Sequence, residues 1–258
     1  MGPTDLDIAT LERSTLDAVA PPRVAEIDGW LLPLEKTTIG RAKSAVPLRH
    51  HAIDGQDVAR IEATYAQHGL PAQFRVADVV GLENIHAVLR QQGYQAEQST
   101  LVQVGSAMHM RDLASSSGLI LQTQPTPAWA DVYTAKGFDP VDGAHRVAAL
   151  SRGKNAVYAH IRDGGTPVAA GVGSFSHGWA SIHGMRTVHS HRGKGLARSV
   201  LAAIAREAQT RGLDRIFLQV EDGNAAALTL YRRAGFSTAW RYYYWRKPGE
   251  NEPTGQGC

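Results

Sequence analysis

Cysteine is almost absent from this 258-residue chain, and the single one, Cys258, is the last residue. An intramolecular disulfide therefore cannot form, and metal sites built from cysteine are excluded. A nucleophilic thiol at the very end of the chain is not expected either. If the protein is an enzyme, its chemistry must come from other side chains.

Long apolar runs are missing as well. No stretch of about 18 apolar residues occurs, so the sequence predicts no transmembrane helix. Residues 1–22 contain acidic side chains and lack the apolar segment of a signal peptide. We therefore expect a cytoplasmic protein without a membrane partner.

Neither sign of charge dominates the composition. The formal net charge is +3 at pH 7, which suits an anionic ligand but is too small to indicate nucleic acid. Hydrophobic residues make up 43% of the chain and charged residues 20%, so a sizeable globular core is expected.

Helix and strand signals alternate along the chain. One helix is expected to begin at Thr4 or Asp5, and a second is expected to be capped by Asp54. Three strands are predicted within residues 155–188, and the most regular helix lies within residues 194–212.

A cluster of serine, glycine and proline in residues 115–129 predicts an irregular linker. We expect this linker to separate an N-terminal domain, residues 1–125, from a C-terminal domain, residues 126–247. Residues 248–258 are expected to form a disordered tail.

The two halves contain a weak internal repeat. In each, a Gly-Leu pair closes a helix, a phenylalanine follows in a short strand, and a second helix ends in glycine and an aromatic residue. The first copy ends in "LRQQGY", residues 89–94, and the second in "YRRAGF", residues 231–236. Helix–glycine–strand–helix units are common, so the likeness has two explanations. Either it is incidental, or both halves share one α/β fold and only the second kept its chemistry.

A glycine-rich basic loop, "HRGKGLA", precedes the most regular helix. Small residues let backbone N–H groups approach an anion, and the N-terminus of a helix adds its dipole. Arg192 and Lys194 add positive charge. By itself such a loop is equally well explained as a surface turn, and it matches neither the Walker A nor the Rossmann pattern.

The elements that follow the loop distinguish these explanations. In order they are the helix, a strand leading to "VEDGN", and a helix ending in "YRRAGF". Over about residues 127–247 this order resembles the GNAT superfamily of acetyl-CoA-dependent N-acetyltransferases. The resemblance implies an α/β fold with a mixed, mostly antiparallel sheet flanked by helices. The N-terminal half resembles the family only in outline, as a degenerate first copy of a tandem protein would.

The resemblance also implies a site for acetyl-CoA as co-substrate. Backbone amides of the loop would hold its pyrophosphate, and these belong to Arg192, Gly193, Lys194, Gly195, Leu196 and Ala197. Main-chain groups of Met185 and Thr187 would pair with the pantetheine arm, and an N–H near Met185 or Arg186 would polarise the thioester carbonyl. Asn224 would hydrogen-bond near the pantetheine end. Tyr231 would be the general acid for the departing thiolate, unless it is only a packed core tyrosine.

The general base is less clearly marked. Many family members use a glutamate on the strand before the loop, but no Glu or Asp occurs between Asp163 and Glu207. His183 shares strand alternation with Met185 and Thr187 and titrates near neutral pH, so it is one candidate, directly or through water. It is equally well explained as a hydrogen-bonded structural histidine. Glu221 is the second candidate.

No metal is expected. Four histidines of the C-terminal half lack a cysteine or carboxylate partner at ligand spacing, and the family needs no metal. These are His177, His183, His189 and His191.

The leading hypothesis is acetyl transfer to a primary amine by direct attack, in a monomer or homodimer. The N-terminal half is expected to shape the acceptor site, which favours a small-molecule amine over a protein or peptide. The alternatives are a longer acyl donor, a non-catalytic acyl-CoA-binding module and a nucleic-acid binder. The last ranks lowest because the basic side chains near a CoA site would already serve its 3′-phosphate.

Overall fold

The structure is a computed structural model that describes residues 4–114 and 116–249. Of the predicted tail over residues 248–258, residues 250–258, including Cys258, lie outside the described residues. The first part of the chain forms α1 (Asp5–Val19), β1 (Val24–Ile27), β2 (Trp30–Pro33), β3 (Val46–Pro47), α2 (Asp57–Gln67), β4 (Phe74–Ala77), α3 (Glu83–Gln91) and β5 (Gln95–Ser106).

The second part continues this alternation. It forms α4 (Ala107–Met110), β6 (Leu119–Gln122), α5 (Pro127–Asp131), α6 (Pro140–Leu150), β7 (Ala156–Asp163), β8 (Thr166–Ser176), β9 (Trp179–Thr187), α7 (Leu196–Thr210), β10 (Arg215–Glu221), α8 (Ala225–Arg233) and β11 (Ser237–Arg246). No helix within the described ranges is both long and apolar enough to cross a membrane.

One eight-stranded sheet runs through the molecule in the order β4-β11-β5-β10-β9-β8-β7-β6. Among its described strands only β9 and β10 form a parallel pair, and the other neighbours are antiparallel. Strands β1, β2 and β3 form a small separate sheet. The predicted fold class, a mixed and mostly antiparallel sheet with helices, is confirmed.

The two copies of the repeat exchange strands. Strand β4 of the first copy pairs with β11 of the second, and β10 of the second copy pairs with β5 of the first. At the centre, Thr100 of β5 pairs with Tyr242 of β11. These two residues lie equally far beyond Tyr94 and Phe236, the aromatic residues that end the two copies. The repeat is therefore a pseudo-twofold arrangement within one sheet.

Two expectations about local structure need correction. Residues 119–122, within the predicted irregular linker, form β6, which pairs with β7. The strand was missed because a cluster of glycine, serine and proline surrounds its short apolar core. The division at residue 125 stays a prediction, while the sheet itself passes through both halves.

The two predicted N-caps have different outcomes. Thr4 caps α1, and Thr4 and Asp7 together form a capping box. Asp54 does not cap α2, because its carboxylate accepts from the Gln56 N–H at 2.9 Å and the helix begins only at Asp57.

The hydrophobic core consists of several clusters, of which two are large. One packs the first half against β11 and includes Trp30, Phe74 and Trp245; the other packs α7 onto the central strands. A buried ion pair joins Arg75 to Glu12 at 2.6 Å beside the first cluster. This packing fixes the first half against the strands that build the site.

Candidate active site

The two parallel strands β9 and β10 separate at one end of their ladder. They pair over three positions, the last being Ile182 opposite Leu218. Beyond it, β9 continues to Thr187 and β10 to Glu221 without pairing with each other. Main-chain polar groups on the facing edges therefore need other partners. Such a wedge can accept an extended ligand that carries amide groups.

A β-bulge lies in β9 at this wedge. In the register with β8, Gly184 and Met185 together oppose the single residue Gly171. Gly184 has a φ of +60°, and a Cβ there would lie 2.7 Å from the Tyr133 hydroxyl. That hydroxyl donates a hydrogen bond to the Gly184 carbonyl at 2.8 Å and so supports the bulge. The bulge interrupts the strict alternation by which the sequence placed His183 and Met185 on one face.

The glycine loop leads directly into α7. Gly193 and Gly195 have φ values of +78° and +77°, and a Cβ at either position would meet no atom within 4 Å. The helix begins at Leu196 without a side-chain cap and without an acidic residue in its first turn. Its first N–H groups therefore remain for another acceptor, and the helix dipole favours an anion there. Arg192 and Lys194 flank this position.

The loop opens onto a cleft of about 520 Å³, which we call the loop cleft. Of the residues predicted to bind the cofactor, Lys194 is exposed and does not line it. The others all do, namely Met185, Thr187, Arg192, Gly193, Gly195, Leu196, Ala197, Asn224 and Tyr231. The glycine loop, the helix terminus and the strand wedge fit a ligand with a pyrophosphate and an amide-bearing arm.

A second cleft, of about 310 Å³, lies in the wedge between β9 and β10, and we call it the sheet cleft. His183 and Glu221, the two candidate bases, line it. The first half of the chain also contributes to its wall, through Thr38, Arg41, Gln98 and Thr100.

Tyr231 lies where the two clefts meet. It lines both of them, as do Met185, Arg186, Asn224 and Ala227. The side chain is buried, and its ring packs edge-on against Phe236 with centroids 5.8 Å apart. Burial raises the pKa of Tyr231 to about 12. Its hydroxyl is therefore protonated at neutral pH and can donate a proton to a basic group.

Asn224 has a structural function in addition to its place between the clefts. Its side-chain oxygen accepts from the Ala227 N–H at 3.1 Å and caps α8. This bond does not use the two amide N–H donors. The side chain can therefore cap the helix and donate to a ligand at the same time.

His183 is buried in the wall of the sheet cleft. Neither ring nitrogen has a hydrogen-bond partner among the described residues. Burial lowers the pKa of His183 well below its ordinary value, and the positive charge of Arg41 lowers it further. The ring is therefore neutral at pH 7 and presents one nitrogen as an acceptor. The described contacts do not supply the partner that a hydrogen-bonded structural histidine requires.

Glu221 differs from His183 in exposure. It is exposed at the end of β10, and its carboxylate accepts a hydrogen bond from the Gln98 side chain at 2.7 Å. The two candidate bases thus present a buried neutral ring and a solvated carboxylate to the same cleft.

Polar residues of the sheet cleft were missed in the sequence. The Tyr242 hydroxyl donates to Gln219 at 3.1 Å and lies 3.4 Å from the Tyr244 hydroxyl. Gln219 in turn donates to Thr15 at 3.1 Å. A single signal was available, because Gln219 is a polar residue within the apolar run "IFLQV". The tyrosines belong to an aromatic strand whose sequence indicates core packing equally well.

Two histidines of the second half, His177 and His191, have separate acidic partners. His191 lies 3.0 Å from Asp163, and His177 lies 3.1 Å from Asp17. Within the part of the chain that the structure describes, no group of three or more His, Cys, Asp or Glu residues is placed to hold a metal ion.

Known proteins are similar to this chain in sequence and in fold. The family model described as "Probable histone acetyltransferase Rv0428c C-terminal" matches residues 6–245. The "Uncharacterized N-acetyltransferase YobR" of Bacillus subtilis (strain 168) is 26% identical over 244 residues, which cover 92% of this chain and 98% of that protein.

A second relative matches over a shorter range. The "L-methionine sulfoximine/L-methionine sulfone acetyltransferase" of Pseudomonas aeruginosa is 31% identical over 106 residues, which are 38% of this chain and 61% of that protein. Among solved structures, the "GCN5-related N-acetyltransferase from Kribbella flavida" aligns with a TM-score of 0.70 at 17% identity, covering 96% of this chain and 97% of that chain.

Proposed function

Because this chain belongs to the GNAT acetyltransferase family whose model is described by the Rv0428c C-terminal region, we propose that it moves an acetyl group from acetyl-CoA to the primary amine of a small molecule. That it is an acyltransferase follows from the family. The donor and the acceptor are the proposal. The observation that carries it is the position of Tyr231, which lines both the loop cleft and the sheet cleft.

The loop cleft is the proposed donor site. Backbone N–H groups of residues 193–197 would donate hydrogen bonds to the pyrophosphate oxygens, and Arg192 would add charge. The free edge of β9 around Met185 would pair with the amide groups of the pantetheine arm. Acetyl-CoA supplies an activated thioester carbonyl at the junction of the clefts. There the Tyr231 hydroxyl is protonated and can pass its proton to the departing sulfur.

The sheet cleft is the proposed acceptor site. An alkyl ammonium ion has a pKa of about 10, so a proton must leave before the nitrogen can attack. His183 is neutral there and offers a nitrogen without a protein partner, while Glu221 offers a carboxylate. We propose His183 as the base, directly or through water, because it lies buried within the cleft.

A small amine is supported by the size of the sheet cleft. Its volume of about 310 Å³ is at the lower end of the range for small-ligand pockets. The first half of the chain forms part of its wall, which limits access for a folded protein. The Pseudomonas relative is named for small amino-acid substrates, which agrees with this assignment.

A second candidate acceptor is a protein amine. The matching family model is described as a probable histone acetyltransferase, so the test includes lysine side chains as acceptors. A lysine side chain is narrow enough to enter a small cleft, but the cleft wall from the first half must then leave room for the flanking chain.

The direct test is release of CoA thiol from acetyl-CoA in the presence of diverse amines. We expect turnover with at least one class of small amine and none with histone peptides. Preferential turnover of the peptides would replace the small-molecule acceptor by the protein amine. No thiol release with any amine would overturn the proposed reaction.

A further inference from the structure

We propose that the sheet cleft selects amines that also carry a carboxylate, and that Arg41 binds this carboxylate. The inference rests on the proposed function and names the substrate class for the same cleft. It starts from the charges that line the cleft rather than from its shape.

Arg41 is an incompletely satisfied guanidinium in the cleft wall. Its Nη1 donates to Gln219 at 3.3 Å, but its buried Nε has no hydrogen-bond partner among residues 4–114 and 116–249. Buried donors of this kind are normally paired, and an unpaired one costs free energy. The residue itself lines the cleft, and the planar fork of a guanidinium matches the two oxygens of a carboxylate.

The nearby carboxylate of Glu12 is already in use. Glu12 lies close enough to sense the charge of Arg41, yet its ion pair is with Arg75 at 2.6 Å. Two guanidinium groups therefore share one carboxylate on this side of the cleft. One of the two positive charges is therefore not balanced by Glu12. It is the charge of Arg41, which lines the cleft.

Arg41 is held in place by close packing. It lies in a 3₁₀ turn, Gly40–Ala42, and a Cβ at Gly40 would lie 2.6 Å from the ring of Tyr244. Ser44 donates to the Gly40 carbonyl at 2.7 Å. The turn can approach Tyr244 this closely only because residue 40 is glycine.

Another part of the cleft lining has a similar excess of positive charge. Arg146 and Arg186 both line the cleft and share the single carboxylate of Asp142, at 2.6 Å and 3.4 Å. The remaining acidic group of the lining, Glu221, is exposed and bonded to Gln98. A purely cationic substrate would meet repulsion from three arginines, whereas a carboxylate would be attracted.

Bound carboxylate would also act on the proposed base. The positive charge of Arg41 is one of the two causes that lower the pKa of His183. A carboxylate on Arg41 would offset that charge and make His183 a better proton acceptor. An α-amino acid or a similarly short amino carboxylate fits this description and the volume of the cleft.

The first experiment compares matched amines with wild-type protein. Thiol release from acetyl-CoA is measured with a panel of α-amino acids, the amide and the decarboxylated amine of each, and spermidine as a cationic amine. We expect the kcat/KM of the best amino acid to exceed that of its own amide by roughly 10- to 100-fold.

The second experiment changes the arginine. Arg41→Gln should reduce the acid-to-amide ratio of kcat/KM from that factor to within about threefold of unity. Arg41→Lys should restore part of the selectivity, because it keeps the charge but not the fork. Arg23→Gln is the matched control, since Arg23 is exposed and lies outside the cleft lining. If Arg41→Gln does not fold, the wild-type comparison of acid with amide decides by itself.

A binding measurement separates this inference from the proposed reaction. Thermal shifts are recorded with N-acetyl amino acids and with their amides, which requires no turnover. Stabilisation by the acids alone, lost in Arg41→Gln, supports the carboxylate site even if no amine is acetylated. Equal turnover of acid and amide, or preference for spermidine, overturns the carboxylate site and leaves the proposed reaction standing. If neither turnover nor stabilisation is observed, both the carboxylate site and the proposed reaction are overturned.

Discussion

The two helices that follow corresponding loops, α2 in the first half and α7 in the second, begin in opposite ways. Neither helix has a side-chain cap, but the first turn of α7 has no acidic residue and follows two glycines with positive φ. The first turn of α2 contains the buried Asp57, whose carboxylate accepts from the Trp30 indole at 3.2 Å. The N-terminus of α7 is open to an anion, whereas the first turn of α2 already contains a buried carboxylate of the protein itself.

The loops before these two helices also differ in whether they leave space for a ligand. In the first half, His50 packs edge-on against Trp240 with ring centroids 5.0 Å apart. In the second half, the corresponding loop leaves open the loop cleft of about 520 Å³. Leu89 stands in the first copy where Tyr231 stands in the second. The two halves therefore differ at three corresponding places, and these are the places where the second half would provide the proposed anion site and the proposed acid.

The largest effect is expected from placing an acidic residue at the N-terminus of α7. Gly195→Glu places a carboxylate at the proposed pyrophosphate site, and acetyl-CoA binding should weaken by at least roughly 100-fold. The measurement is the dissociation constant by calorimetry. The matched control is Gly212→Glu at the other end of α7, where φ is +71° and a Cβ also meets no atom within 4 Å. Retained affinity in Gly195→Glu would remove the loop assignment.

The next effect concerns the residue that the first copy lacks. Tyr231→Phe should lower kcat by about 100-fold with little change in acetyl-CoA affinity, because only the proton donor is lost. Single-turnover kinetics and calorimetry measure the two quantities.

Tyr65→Phe is the control for this substitution. Tyr65 is a buried tyrosine of the first half whose hydroxyl donates to the Pro33 carbonyl at 3.0 Å. This variant should lose about 1 kcal/mol of unfolding free energy and keep full turnover. If Tyr231→Phe turns over like wild type at every pH, the tyrosine is only part of the core.

A third prediction concerns removal of the acidic side chain from the first turn of α2. Asp57→Ala should lower the free energy of unfolding by roughly 2–3 kcal/mol, because the buried Trp30 N–H loses its acceptor and the helix dipole loses its anion. Urea denaturation measures this, and Asp54→Ala, exposed and outside the helix, should cost less than half as much. Acetyl-CoA should still bind at a single site, since no glycine loop precedes α2. A second bound acetyl-CoA would show that Asp57 alone distinguishes the two halves.

The smallest effect concerns His50, in the loop before α2. Burial lowers the pKa of His50 to about 4, from an ordinary value near 6.5. The unfolded chain takes up the proton first, so stability is lost as the pH falls from about 6.5 toward 4. His50→Gln should reduce the loss of unfolding free energy between pH 7 and pH 5 by about 1–2 kcal/mol. Parallel pH dependences in variant and wild type would contradict this.

Local signals predicted much of the second half, because its motifs are continuous in sequence. The glycine loop, α7, β10 and α8 follow one another, and short-range periodicity and glycine stops mark each of them. Helix α6 was missed even though Asp139 caps it and Pro140 begins it. Its interior Gly143 weakens the helical signal, and that glycine is needed because a Cβ would lie 2.4 Å from the Tyr133 carbonyl oxygen.

The sheet cleft could not be predicted in the same way. Arg41 and Gln98 come from the first half, while Gln219 and Tyr242 come from the second. Only the strand order places them around one cleft, and strand order depends on contacts between distant residues. The β-bulge at Gly184 likewise has no marker beyond a glycine in a strand pattern.

The exchange of strands between the halves has a consequence for how the chain acquires its structure on the ribosome. Strand β11 lies between β4 and β5, which are synthesised well before it. Until residues 237–246 emerge, these two strands have unpaired edges facing an empty position in the sheet. Folding must wait for this late strand, and its non-local pairings make the process slow. A nascent chain of this protein is thus exposed to edge-to-edge association for most of its synthesis.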